Sequence, residues 1–172
     1  MKKNKVKGKI RSARISDVPV IQEIVNFYAK RGKMIPRSLS EICENIRGFL
    51  VYEKGSEILG VCNLKVFWND LGEICSLAVK KKAVGKGIGS KLINRCLSDA
   101  KKIEIKKVFA LTYEPEFFRK KGFTVVDKSE LPQKIWNDCM KCIKFPHCDE
   151  IALVKELDET PEYTVLYKIK MV

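Results

Sequence analysis

The stretch Ile74-Cys75-Ser76-Leu77-Ala78-Val79, followed closely by Lys82-Ala83-Val84-Gly85-Lys86-Gly87-Ile88-Gly89-Ser90, decides the fold. An apolar run of this length reads as a buried strand. Beyond the glycines, Leu92, Ile93, Cys96, Leu97 and Ala100 recur as one face of a helix. A strand therefore enters a glycine-rich turn, and the turn opens a helix. Glycines let the backbone approach a ligand closely and adopt conformations closed to other residues. The free N–H groups of the new helix terminus, backed by the helix dipole, form an anion site suited to a phosphate. Two common phosphate motifs do not fit. The Walker pattern G-x-x-x-x-G-K-[ST] does not occur. The dinucleotide fingerprint needs G-x-G-x-x-G, whereas the spacing here is G-x-G-x-G.

Downstream, Val108-Phe109-Ala110-Leu111-Thr112 reads as a second buried strand, followed by Phe117-Phe118-Arg119-Lys120-Lys121-Gly122-Phe123. In this order the pieces resemble the GNAT acetyltransferases. Lys82 to Gly87 is similar to the family's [RQ]-x-x-G-x-[GA] acetyl-CoA pyrophosphate loop, with Lys82 in place of Arg or Gln. The Phe-Phe segment is similar to the family's FY-x-x-x-GF helix. The resemblance runs from about Ile10 to Leu157. It implies acetyl-CoA as donor, with Lys82, Val84, Gly85, Lys86, Gly87, Ile88, Gly89 and Ser90 at its phosphates. In this family a bulge in the strand before the loop frees backbone groups for the pantetheine arm and the acetyl oxygen, here at Leu77, Ala78 and Val79. Read from the residues alone, these three are also consistent with a plain buried strand.

The chemistry needs a neutral amine, a polarised thioester carbonyl and a departing thiolate. Glu73, an acid in an otherwise apolar strand, is the candidate base; its alternative reading is a surface acid at a strand end. Many family members carry a tyrosine where this chain has Phe118, so Phe118 can line the cofactor groove but cannot supply an acid. Tyr113 is a nearby substitute.

A narrower resemblance concerns the acceptor. Met34-Ile35-Pro36-Arg37-Ser38, Glu73 to Val79, Leu111-Thr112 and Leu131-Pro132-Gln133-Lys134-Ile135-Trp136-Asn137-Asp138-Cys139 are similar to short N-acetylglutamate synthases, which lack an amino-acid-kinase domain. This implies acetyl transfer to the α-amine of L-glutamate, the first step of arginine synthesis. A substrate with two carboxylates calls for guanidinium donors. Arg37 is the first choice, with Ser38 either beside it in binding or serving as a helix cap, and Arg47 and Lys134 as weaker candidates. Other readings are acetyl transfer to a peptide N-terminus, a lysine or a polyamine, or a non-catalytic CoA-binding or RNA-associated module.

The 172 residues suit one domain, expected at 10–157, with a basic flexible lead at 1–9 and an additional strand within 158–172. Other expected elements are a strand from Ile10 to Ile15 and a helix from Asp17 to Arg31 with Val18, Ile21, Ile24, Val25 and Tyr28 as its stripe. A second helix is capped by the S-x-x-E box at Ser38 and directs Ile42, Ile46 and Phe49 inward. A hairpin turns around Lys54-Gly55-Ser56, and late strands lie at Ile151–Val154 and Thr164–Ile169. Antiparallel strands followed by a βαβ crossover imply an α/β (α+β) fold of GNAT type: a mixed, mostly antiparallel sheet with helices on both faces.

The formal charge is +13, but the lysines are scattered and no nucleic-acid module accompanies them, which argues against a nucleic-acid partner. No apolar run approaches the roughly 20 residues of a membrane span. The basic N-terminus lacks a signal-peptide core, so a cytoplasmic location is expected. Family members often form homodimers. Of seven cysteines, Cys43, Cys62, Cys75 and Cys96 fall in apolar patterns and are expected in the core. Cys139, Cys142 and Cys148 admit three readings: a zinc site lacking a fourth ligand, a Cys142–Cys148 disulfide, or unrelated thiols.

Overall fold

The computed structural model describes residues 7–131, 139–140, 142, 144 and 147–157. The expected strand at Thr164–Ile169, the candidate Lys134 and most of the Leu131–Cys139 segment lie outside them.

Seven strands form one sheet: β1 (Lys9–Ser12), β2 (Phe49–Lys54), β3 (Glu57–Val66), β4 (Leu71–Val79), β5 (Lys107–Thr112), β6 (Thr124–Val126) and β7 (Ile151–Glu156). Their spatial order is β1-β2-β3-β4-β5-β7-β6. Every neighbouring pair is antiparallel except β4 and β5. That parallel pair is joined by the helix α3 (Ile88–Lys102), the crossover expected of the βαβ unit. The helices α1 (Val18–Ala29) and α2 (Leu39–Glu44) precede β2, and the short α4 (Pro115–Arg119) follows β5. Among the described residues, no helix is long and apolar enough to cross a membrane.

The pleat sends alternate side chains to two cores. On one face α1 buries Val18, Ile21, Ile24 and Val25 with Ile42 of α2 against Val51, Val61 and Ala78. On the other, α3 buries Leu92, Ile93, Cys96 and Ala100 against Leu50, Cys62, Ile74 and Val108. Neighbours such as Leu50 and Val51, or Val61 and Cys62, thus serve opposite faces.

Several boundaries differ from expectation. β1 begins at Lys9, inside the expected lead, and ends at Ser12. The Asp17 carboxylate accepts from the Arg14 N–H at 2.7 Å and from the Arg11 guanidinium at 2.6 Å. This folds residues 15–17 into a 3-10 turn and leaves Ile15 exposed. The capping box at Ser38 forms, but α2 stops at Glu44, Ile46 opens a second 3-10 turn, and Phe49 belongs to β2. Gly48 permits that turn, because a Cβ there would lie 2.3 Å from the Leu64 carbonyl oxygen. Cys43 is exposed and Cys75 only half-buried, whereas Cys62 and Cys96 are buried with sulfurs 3.4 Å apart.

Candidate active site

The site originates in a split between β4 and β5. Their pairing covers only Leu71–Glu73 against Lys107–Phe109. Past Glu73, β4 bulges. Val61 of β3 pairs with Ala78 and Asn63 pairs with Cys75, so Ser76 and Leu77 together face Cys62. Ser76 sits at φ +51°, a left-handed conformation rare outside glycine. A bulge adds a residue to one strand, sharpens its twist and re-aims its backbone groups. The strands diverge here, and a cavity of about 630 Å³ opens between them.

Leu77, Ala78 and Val79 line this cavity, as do Val84, Gly85, Gly87, Ile88, Gly89, Ser90 and Phe118. The bulge itself lies at Ser76–Leu77, slightly before the expected positions. Gly85 and Gly87 have φ of +80° and +73°. Gly87 is the N-cap of α3, and no side chain caps that terminus. A Cβ built on either glycine would meet no atom within 4 Å. The α3 N-terminus thus has no side-chain cap and its glycine turn borders the cavity, the setting a phosphate cradle needs. Phe118 is packed edge-on against Phe117 and Phe123, with centroids 5.6 and 5.3 Å away.

Lys82 and Lys86, expected at the cofactor phosphates, lie outside the cavity lining. The Lys82 ammonium pairs with Glu57 at 2.7 Å, joined by Lys80 at 3.3 Å, and the Lys86 ammonium donates to the Lys82 carbonyl at 2.8 Å. These contacts tie the β2–β3 turn to the glycine turn, and the two lysines hold the Glu57 carboxyl below the usual range.

Glu73 lines the cavity and is only 8% exposed. Arg37 lines it too, from the segment between α1 and α2. Asn26 of α1 clamps the Arg37 backbone twice, accepting its N–H at 2.9 Å and donating to its carbonyl at 3.0 Å. Gln22 donates to the same carbonyl at 3.1 Å. Ser38 does not reach the cavity. Its hydroxyl accepts the Glu41 N–H at 3.1 Å and donates to the Glu41 carboxylate at 3.0 Å, so it is a helix cap. Arg47 is exposed on the 3-10 turn that ends α2 early and is likewise outside the lining.

Tyr113 lines the cavity at the end of β5. Its hydroxyl donates to Asp149 at 2.8 Å and accepts from Lys144 at 2.8 Å. Burial is the main cause that pushes its pKa up to about 12. Cys139, Cys142 and Cys148 are free thiols, and among the described residues no His, Cys, Asp or Glu group is arranged to hold a metal. The Cys148 thiol points instead to Glu150, 3.8 Å away, and Cys139 joins the cavity wall. Burial, followed by the negative charges of Cys148, Glu150 and Glu73, pushes the Cys139 thiol up to about 11.

Tyr28 and Glu150 are among the lining residues that the sequence reading did not single out as part of a site. Tyr28 was legible only as part of an apolar stripe. Glu150 sits next to β7, and no local pattern signals that β7 lies beside β5. The amphipathic spacing of α1 and the Asp149-Glu150 pair before a strand were the available signals, and neither is specific.

An anion cradle at the root of a crossover helix, opening from a slot between splayed strands, is the arrangement of an acyltransferase that takes its acyl group from CoA. Residues 21–123 match the acetyltransferase (GNAT) family, and the chain belongs to it. It is an N-acetyltransferase using acetyl-CoA. An uncharacterized N-acetyltransferase of Chlorobaculum tepidum is 38% identical over 148 residues, 86% of this chain and 96% of that one. An amino-acid acetyltransferase of Mycobacterium tuberculosis is 35% identical over 75% of each chain. Among solved structures, N-acetylglutamate synthase of Neisseria gonorrhoeae with coenzyme A and N-acetyl-glutamate superposes with a TM-score of 0.81 at 28% identity. The match covers 89% of this chain and 36% of that one. A Mycobacterium tuberculosis protein in complex with CoA superposes with a TM-score of 0.76 at 28% identity, covering 87% and 99%.

Proposed function

We propose that the chain transfers the acetyl group of acetyl-CoA to the α-amine of an amino acid, with L-glutamate as acceptor. The observation that carries this is the sharing of one cavity by a buried acid, Glu73, an arginine, Arg37, and the open glycine turn. Relatives named for amino-acid acetylation support it. In this reading Arg37 binds a substrate carboxylate through its guanidinium, and the paired backbone contacts of Asn26 set its position. Glu73 takes the ammonium proton directly or through one water. The freed lone pair attacks the thioester carbon. Backbone N–H groups of Leu77–Val79, re-aimed by the bulge, stabilise the oxygen as it gains charge. The C–S bond breaks, CoA leaves as a thiolate, and the nitrogen's second proton passes to that thiolate to give the CoA thiol. Tyr113, at the end of β5, is the candidate hydroxyl for passing a proton to the thiolate, and a thiolate also leaves without strong acid help. Making N-acetylglutamate would place the enzyme at the first step of arginine synthesis.

A second reading is an acceptor carrying extra positive charge. It is favoured by Glu73, Glu114 and Glu150 facing a cavity to which Lys33 and Arg37 contribute the cations. Release of CoA thiol from acetyl-CoA over a panel of amino acids, polyamines and peptides tests both, with a no-acceptor control for the protein's own thiols. Turnover with glutamate, a large fall in kcat for Glu73→Gln and a raised glutamate KM for Arg37→Ala are the expected results. Turnover confined to polyamines or peptides would overturn the amino-acid assignment.

A further inference from the structure

Between the end of β4 and the start of α3 the chain runs along the surface. The last register pair of β3 with β4 is Gly60 with Val79, and the Lys80 N–H then donates to the Leu59 carbonyl at 2.8 Å. Ala83 and Ile88 are buried, whereas Val84 to Gly87 between them are exposed. Apolar packing therefore fixes the glycine turn at its two ends. Behind the turn lies a second, open cleft of about 360 Å³, which separates it from the β2–β3 turn. Lys54, Glu57, Lys82 and Lys86 are among its lining residues. Glu57, the first residue of β3, bridges this cleft. Its carboxylate oxygens accept from the Lys82 ammonium at 2.7 and 2.8 Å, and one of them also accepts from the Lys80 ammonium at 3.3 Å. The Lys86 ammonium donates to the Lys82 carbonyl at 2.8 Å and extends the strap to the glycines.

A glycine turn that must receive phosphates gains from such a restraint. Gly85 and Gly87 hold φ of +80° and +73°, and glycine has more alternative conformations to lose than any other residue. Ordering a loop on binding costs affinity, and holding it in the bound shape beforehand removes that cost. Lys82 and Lys86 line the rear cleft and not the main cavity, so their contacts in this arrangement shape the loop. We propose that Glu57 is a positioning residue for the cofactor: by bridging Lys80 and Lys82 across the rear cleft, it preorganises the glycine turn that takes the phosphates of acetyl-CoA. Glu57 acts through the two lysines and does not touch the cofactor. The Glu57 and Lys82 side chains are 43% and 64% exposed, so salt weakens the bridge. The inference concerns the acetyl donor alone and holds whichever amine is the acceptor.

The test measures the dissociation constant of CoA by calorimetry, for wild type and Glu57→Gln, across a range of salt concentrations. Steady-state kinetics with each substrate varied in turn accompany it. Glu57→Gln keeps the shape of the side chain and removes its charge. At low ionic strength it should weaken CoA binding roughly threefold, the scale of exposed ion pairs. The KM for acetyl-CoA should rise to match, with kcat and the acceptor KM at wild-type values. The difference between the two proteins should fade toward about 1 M salt, where the wild-type bridge is screened as well. An unchanged CoA constant overturns the inference, even with a lower thermal midpoint, because Glu57 would then serve stability alone. Tighter CoA binding in Glu57→Gln also overturns it, because Glu57 would then be withholding the lysines from the phosphates. A loss of affinity that persists undiminished in high salt overturns it too, because the ion pairs would not be its source.

Discussion

The Tyr28 hydroxyl donates to the carbonyl of Val79 at 2.5 Å. One contact thereby fixes α1 to the last residue of β4, just before the chain enters the glycine turn. Burial raises the Tyr28 pKa above its ordinary value, so the phenol stays protonated and remains a donor. Tyr28→Phe removes the donor and strands the carbonyl. It should cost about 1 kcal/mol of stability in urea unfolding and raise the KM for acetyl-CoA, while a pH-independent loss across the neutral range would match the phenol's role as a neutral donor.

Asn26 acts on the acceptor through Arg37. It makes one bond to the Arg37 N–H and one to its carbonyl. Asn26→Ala should raise the acceptor KM roughly three- to tenfold, on the scale of one neutral hydrogen bond, and leave the acetyl-CoA KM unchanged. Steady-state kinetics with each substrate varied in turn checks this, and a change confined to acetyl-CoA would contradict it.

Gly87 has φ +73°, and a Cβ there would meet nothing within 4 Å. The cost of Gly87→Ala is therefore conformational, about 1–2 kcal/mol for a left-handed non-glycine residue, with no steric clash in the empty protein. The methyl group would occupy the space that a phosphate enters. We expect a modest fall in thermal midpoint with a much larger rise in the acetyl-CoA dissociation constant, measured by calorimetry.

Acid stability should depend on Arg11. Its guanidinium bonds Asp17 at 2.6 and 3.0 Å and Glu53 at 3.0 Å. It is the main cause holding both carboxyls below their ordinary values of 3.8 and 4.5. A carboxylate with a depressed folded pKa stabilises the protein above its unfolded pKa and loses that contribution as pH falls through the folded value. Arg11→Leu should cost about 2 kcal/mol near neutrality through the largely buried Asp17 partner. The gap from wild type should stay constant down to about pH 5 and shrink below about pH 4. Urea midpoints for both proteins across that range check the sign. A gap that widened in acid would refute it.

What the chain could announce locally, it did. The glycine turn, the capping box of Ser38 and Glu41, the hairpin at Gly55 and the apolar stripes of α1 and α3 all depend on residues within a few positions of one another. Backbone conformation and helix periodicity are short-range properties, so those elements, the sheet strands and the anion cradle were legible from residue order. Charged side chains were not. Lys82 and Lys86 looked like phosphate ligands because they flank the turn, but Glu57, 25 residues away from Lys82 along the chain, claims the Lys82 ammonium. Arg37 stood ahead of Arg47 as a guanidinium donor, but residue order alone could not place either at the cavity. The early end of α2 turned Arg47 outward while Asn26 held Arg37 at the cavity.

The split between β4 and β5, the left-handed Ser76 at the bulge and the presence of both Glu73 and Glu150 in one cavity lining belong to the tertiary structure alone. Each depends on which strands lie side by side. Strand pairing is made by backbone hydrogen bonds that carry no residue-specific signal, between segments separated by tens of residues. The sequence by itself therefore determined a phosphate-type anion cradle and two helix-packed faces on a mixed sheet, because local conformation and hydrophobic burial suffice for those. Only the folded chain decided which carboxylates, which arginine and which backbone groups share one cavity, because side-chain proximity across a sheet is set by register and long-range packing.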